Sequence, residues 1–229
     1  MNRFLFPRWV NKFLLVLGVM ILGGGAYAGA VFMGATDPKT LNVGYQPVQP
    51  IPFSHKIHAG QLKMDCRYCH TSVEKSAHAS VPPTSTCINC HSPLEKATGT
   101  PLLSAVHPTS PKLKALHDSW ATGDSVPWVK IHRLPDFVYF NHSVHVNRGV
   151  SCVTCHGRID KMDEVHQAKD LSMTWCVDCH RHPEAHLRPV EFITKLDWAP
   201  EDGKAAELGA QLKKEKNINP LTNCAVCHR

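Results

Sequence analysis

Every cysteine of the chain falls in one of five Cys-x-x-Cys-His runs: Cys66, Cys69 and His70; Cys87, Cys90 and His91; Cys152, Cys155 and His156; Cys176, Cys179 and His180; Cys224, Cys227 and His228. Two thiols with two residues between them match the spacing of the vinyl groups of a haem, to which they add as thioethers. The residue after the second cysteine delivers an imidazole to one axial face of the iron. Structural zinc also uses Cys-x-x-Cys hooks, but it takes them in pairs and has no need of a histidine after each one. Five hooks are odd in number, and all five carry the histidine. A disulfide framework fails too, because a two-residue loop between paired cysteines is a redox-active geometry rather than a staple. The motifs therefore read as five covalently attached c-type haems.

Each iron takes a second axial ligand, and 16 histidines are present, so eleven remain after the proximal five. The strongest candidates come as two pairs, His55 with His58 and His142 with His145, each in a Phe-x-His-x-x-His run just upstream of an attachment motif. Side chains at i and i+3 of one helical turn project to the same side and can serve two neighbouring haems. That supplies four distal ligands. For the fifth, the sequence favours His132, in an apolar, proline-bounded segment from Val126 to Pro135 that leads into the second pair. His78, His107, His117, His166, His182 and His186 lie among Ser, Pro, Lys and Glu and are weaker candidates. Met162 and Met173 stay open as alternatives, since a thioether ligand raises the potential of a haem relative to two histidines; packing is their other role.

The elements that must position these groups begin with an uncharged apolar stretch, Phe13 to Gly34, preceded by Arg3, Arg8 and Lys12. It spans roughly 33 Å as a helix, enough to cross a hydrocarbon core, and the basic flank orients the remainder of the chain outward. Ala26-Tyr27-Ala28 has the form of a signal-peptidase site, so a cleaved leader competes with a retained anchor. The small-residue steps Gly25-x-x-x-Gly29 and Ala30-x-x-x-Gly34 suit close helix packing and favour the anchor. Covalent haem attachment on the outer side of a bacterial cytoplasmic membrane requires the same topology. The formal charge of +6 balances haem propionates and gives no case for nucleic acid.

A duplication organises the chain beyond the anchor: the Phe53 to His58 run precedes Cys66 as the Phe140 to His145 run precedes Cys152, and each is trailed by a second motif. The expected segments are an anchor at 1–36, a connector at 37–52, a first dihaem module at 53–96, a linker at 97–130, a second dihaem module at 131–192 and a C-terminal segment with the fifth haem at 193–229. Short helices are expected around Lys112 to Trp120 and from Glu201 to Lys216, the latter with Leu208 and Leu212 four residues apart. About 38 residues per haem cannot enclose each cofactor separately, so the macrocycles must form the interior. The fold class is thus mostly α and irregular, with a haem-filled core and one N-terminal transmembrane helix.

The paired-histidine module resembles the class III multihaem cytochromes. That resemblance implies that the first histidine of each pair ligates the haem attached just downstream, His55 with His70 and His142 with His156, while the second reaches a different haem. The segments Trp128 to Val146, Leu171 to Cys176 and Asn223 to Arg229 are similar to the pentahaem, membrane-anchored subunit of alternative complex III, a bacterial quinol:electron-acceptor oxidoreductase. This second resemblance implies an electron-transfer subunit facing the periplasm. Its partners would be an iron–sulfur/molybdopterin-like subunit, polytopic quinol-binding subunits and a monohaem cytochrome c, with a soluble electron acceptor beyond them.

Ten ligands for five irons leave no open coordination position, which points to a conductor of electrons rather than an enzyme. A self-contained, membrane-anchored quinol dehydrogenase is the alternative. A multihaem reductase would need a five-coordinate iron, and every motif here ends in histidine.

Overall fold

The computed structural model describes residues 7, 9–37, 42–101, 103–200 and 203–228. Arg3 and Arg8 of the basic flank and residues 38–41 of the connector lie outside the described residues. Two units are distinguished, 1–43 and 44–229.

The first unit holds one helix, α1, Trp9–Thr36, with Lys12 as its single charged residue. Its 28 residues make about 42 Å at 1.5 Å per residue, against about 30 Å of hydrocarbon, and among the described residues it alone is long and apolar enough to cross a membrane. None of its side chains is buried, and a Cβ built on Gly25 or Gly29 would meet nothing within 4 Å. Those two glycines mark a strip where another helix can approach backbone to backbone.

The second unit is a succession of short helices joined by irregular chain. They are α2 (Cys66–Cys69), α3 (Thr84–Ile88), α4 (Lys114–Thr122), α5 (His142–Asn147), α6 (Cys152–His156), α7 (Met173–Arg181), α8 (Ala205–Glu215) and α9 (Cys224–Cys227). Among the described residues no β-strand forms, only isolated bridges such as Val138 with His228 and Val150 with Leu187. The fold class expected from the sequence is therefore the one observed. Local chemistry sets the helix starts: Asp65 caps α2 through the Arg67 amide (2.9 Å), Asn141 caps α5 through the Ser143 amide (3.0 Å), and Ser172 caps α7 through the Trp175 amide (3.2 Å), each satisfying an orphan N–H of the first turn. The two helices expected outside the motifs also form, α4 behind a 3₁₀ turn at Pro111–Leu113 and α8 a few residues inside its expected bounds.

Apolar packing is divided into three small clusters: Ile51, Ile88 and Leu116; Val73, Val146 and Ile193; Leu187, Leu212 and Ile218. Such a division suits a domain in which cofactors rather than side chains supply most of the buried apolar surface. Hydrogen bonds tie the first half of the unit to the second. The His142 and Ser143 amides donate to Ala77 O and Ser76 O (both 3.1 Å), Asn147 Nδ2 to Glu74 O (2.9 Å) and Thr194 Oγ1 to Asp65 Oδ2 (2.9 Å). Helix α8 lies on the 3₁₀ turn Pro183–His186 so closely that a Cβ on Gly209 would stand 1.8 Å from Glu184 O, and Lys213 pairs with Glu184 beside that contact.

Both the anchor and this close contact can be tested. Intact-mass analysis of the subunit extracted from membranes will show α1 retained, and a mature chain beginning near Tyr27 or Gly29 would refute the anchor. Gly209→Ala will lower Tm, with a loss of about 1–3 kcal/mol from overpacking. Helix propensity alone would stabilise that variant by about 1 kcal/mol, so a raised Tm would deny the close approach.

Candidate metal centres

Each Cys-x-x-Cys-His run folds as a helical turn that brings its three functional groups together. The His70 amide donates to Cys66 O (2.9 Å), His91 to Cys87 O (2.8 Å) and His228 to Cys224 O (2.9 Å). Positions i, i+3 and i+4 share one face of such a turn, so both sulfurs and the imidazole point the same way.

The outer nitrogens of these rings are then fixed by backbone carbonyls. Nδ1 of His70 bonds to Ser80 O (2.7 Å), of His91 to Val106 O (2.8 Å), of His180 to Leu221 O (2.9 Å) and of His228 to Phe137 O (3.2 Å). Three of the distal candidates obey the same rule: His58 to Ser54 O, His142 to Ala77 O and His145 to Asn141 O, all at 2.8 Å. A ring that donates Nδ1–H to a carbonyl presents its Nε2 lone pair to a metal in a defined direction. Seven rings in this state make a donor set suited to iron.

Ring separations test the fit. With metal–nitrogen bonds of about 2 Å, two imidazoles on opposite faces of one ion have centroids about 6.3 Å apart. His58 and His91 are 6.1 Å apart, His142 and His156 6.4 Å, and His145 and His180 6.2 Å. The residues present fit iron held between two histidines at these three places. His55 lies near His70 and His58. Burial and those two rings bring its pKa down to about 4, and its Nδ1 is buried without a hydrogen-bond partner. Burial is also the main reason His132, His142 and His145 titrate below the usual range. In His156, burial with His132, His142, His70 and His55 nearby brings the value to about 3. Such rings are neutral at pH 7, the form in which imidazole binds a metal.

His132 is placed differently. Its Nε2 stands 3.4 Å from Nδ1 of His156, and the two rings meet edge to face at 4.4 Å and 83°. Of the weaker candidates, His117 donates Nε2–H to His91 O (3.0 Å) and Met173 is 70% exposed. Among the described residues no group of three or more His, Cys, Asp or Glu converges on a bare-ion site.

The cysteines show which attachment sites adjoin. Cys66 and Cys152 lie side by side, and Cys152 with burial raises the Cys66 thiol. Burial and then Cys69 raise Cys87, burial and then Cys179 and Cys176 push Cys155 up to about 12, and burial and then Cys227 push Cys176 up to about 11.

Sequence reasoning passed over the two phenylalanines of the duplicated runs. Phe53 stacks on His58 at 4.4 Å and 23° and meets His55 edge-on at 4.9 Å and 87°. Phe140 repeats this with His145 at 4.5 Å and 27° and with His142 at 4.8 Å and 87°. Each ring holds two imidazoles roughly perpendicular to one another. The recurrence of Phe two residues before each first histidine was the available signal.

Residues 138–229 match the family model for cytochrome c7 and related cytochrome c, and residues 32–119 match that of the class III cytochrome c family. Over 184 residues, covering 80% of this chain and 78% of the relative, the sequence is 31% identical to the menaquinone reductase multihaem cytochrome c subunit of Nitratidesulfovibrio vulgaris.

The ring pairs predict a spectroscopic outcome. His58→Ala, His142→Ala and His145→Ala will each convert one low-spin haem to high spin in electron paramagnetic resonance, with the pyridine haemochrome count still at five. A variant that stays fully low-spin would remove its histidine from the axial set.

Proposed function

Since the chain belongs to the family of the menaquinone reductase multihaem cytochrome c subunit, we propose that it is the pentahaem electron-transfer subunit of a membrane complex that exchanges electrons with quinone. When bound, the haems supply one-electron redox chemistry at low-spin iron. The cysteines of the five motifs hold them covalently, and His70, His91, His156, His180 and His228 are the proximal ligands. His55, His58, His142 and His145 are distal ligands at the first four sites. For the fifth site the sequence favours His132, which packs beside His156.

Continuity of the attachment sites carries this reading. Cys69 and Cys87 join the second site to the first, Cys66 and Cys152 join the first to the third, Cys155 with Cys176 and Cys179 joins the third to the fourth, and Cys176 with Cys227 joins the fourth to the fifth. The histidine pairs agree, since His55 and His58 share one turn between the first and second sites, and His142 and His145 share another between the third and fourth. These neighbours support a path in the order second, first, third, fourth, fifth. At the first four sites the paired histidines leave no open coordination position, and an iron so held passes electrons but cannot take a substrate. Conversion of quinone therefore belongs to partner subunits.

The anchor helix supports a periplasmic position for the 44–229 unit on a bacterial cytoplasmic membrane, with Lys12 on the inner side. Resemblance to the alternative complex III subunit supports the partner set of an iron–sulfur/molybdopterin-like subunit, polytopic quinol-binding subunits and a monohaem cytochrome c, together with quinol oxidation towards a soluble acceptor. The relative's name favours the opposite direction, delivery of electrons to menaquinone. A path of fixed sites conducts either way, and the driving force of the partners sets the direction.

Stopped-flow mixing of the isolated, oxidised subunit with menaquinol will give haem reduction at least about a hundredfold slower than in the intact complex, the range lost when a positioning site is absent. Comparable rates would instead make the chain a quinol dehydrogenase in its own right.

A further inference from the structure

The duplication allows contacts in one half of the 44–229 unit to be compared with those in the other. Counted from the paired histidines, Ser143 is the counterpart of Lys56, Asn147 of Gly60 and Asn141 of Ser54; counted from the attachment motifs, Met162 is the counterpart of Ser76 and Asp160 of Glu74. The Lys56 amide donates to Met162 O (3.0 Å), and the Ser143 amide donates to Ser76 O (3.1 Å). Asn147 Nδ2 donates to Glu74 O (2.9 Å), while Gly60 lies so close to Asp160 O that a Cβ there would collide with it. Each half therefore makes to the other the contact that the other makes to it, the pattern of an isologous interface, here closed within one chain. Residues that meet their own counterpart lie at the axis of such an interface, and Cys66 beside Cys152 is that pair.

The two turns held in this way differ in how they are capped. In the second half Asn141 Oδ1 accepts from the Ser143 amide (3.0 Å), so the turn carrying His142 and His145 is closed by its own side chain. In the first half Ser54 Oγ accepts from the Ile57 amide (3.2 Å) and donates to Oδ1 of Asp163 (2.9 Å), a residue that follows the third attachment motif. Ser54 O in turn accepts from Nδ1 of His58 (2.8 Å). Asp163 also pairs with Lys56 Nζ (2.8 Å), but both side chains are exposed and such a pair contributes little.

From this arrangement we infer that the two dihaem modules clasp one another about a pseudo-two-fold axis and that Asp163, in the second module, is a positioning residue for the second haem, acting on the ring of His58 through Ser54. A hydroxyl that accepts from Ile57 has one proton to give, and the carboxylate fixes where it points. With Ser54 so held, its carbonyl keeps one direction, and the His58 ring keeps its plane opposite His91, 6.1 Å away. The second haem is one end of the proposed path, so the ligand plane at that end is set by the half of the unit that carries the middle. The inference rests on His58 as the distal ligand of the second haem, which His58→Ala tests by itself.

The test is electron paramagnetic resonance of the full-length ferric holo-protein, where the angle between two axial imidazole planes sets the g-values of each low-spin haem. The signal lost in His58→Ala identifies the second haem, and the signal lost in His142→Ala identifies the third. In Asp163→Ala the second-haem signal will shift in g while the third-haem signal stays in place, although Asp163 is nearer the third motif in sequence. In Asp163→Asn, whose Oδ1 can still accept from Ser54, the second-haem signal will return towards its wild-type position. Equal shifts in the two variants would make lost charge the cause, and a shift of the third-haem signal, or no shift at all, would deny support across the axis; each overturns the inference. Five low-spin haems in His58→Ala would overturn it separately, by removing the ligand reading on which it rests.

Discussion

Two imidazoles facing one another across a gap of about 6.3 Å, the spacing set by metal–nitrogen bonds of about 2 Å, form the constraint on which the rest of the molecule depends. The gap is held at three places, by His58 with His91, His142 with His156 and His145 with His180. The backbone behind five of these six rings is organised to keep them there. Carbonyls of Ser54, Ala77, Asn141, Val106 and Leu221 sit at the outer nitrogens, and the chain between them has no regular structure to maintain. Short helices, irregular loops and divided apolar clusters result from this demand, because a loop can place a carbonyl wherever one is needed while a long helix or a sheet has already committed its own.

The motifs were legible in the sequence because covalent chemistry fixes their spacing: two thioethers and an adjacent imidazole leave no freedom. The paired histidines were legible because i and i+3 is a helical relationship, and α4 and α8 because their composition and leucine spacing are helical. What lay outside the sequence was the supporting shell. Every residue has a carbonyl, so nothing in the letters marks Ser80 or Leu221 as the partner of His70 or His180. Ser80 reaches its place through a backbone turn with φ of 61°, which depends on the surrounding loop. Phe53 and Phe140 were visible as letters, but their stacking requires the folded turn. His132 shows the same limit from the other side. Its apolar setting suits a ligand, and only three-dimensional placement shows that its ring packs edge to face on another histidine.

Pairing rings from different parts of the chain also explains why residues 44–229 form one unit although the sequence reads as two modules. The second module's first distal histidine takes its support from the first module, and Asp65 at the start of α2 reaches Thr194 beyond the second. The duplication copied the motif and its phenylalanine, whereas the carbonyl behind each first histidine was not copied with it: His142 has Ala77 O, and His55 Nδ1 has no such partner.

Ala77 itself accepts twice from one residue, from the backbone amide and from Nδ1 of His142. A carbonyl in the first module thereby governs when the second can be completed, because His142 has no fixed direction until the loop bearing Ala77 has folded. A chain synthesised from its N-terminus presents that loop before His142. The order of the chain thus passes into an order of folding, in which the direction of one ring in the second half waits on a single peptide group of the first.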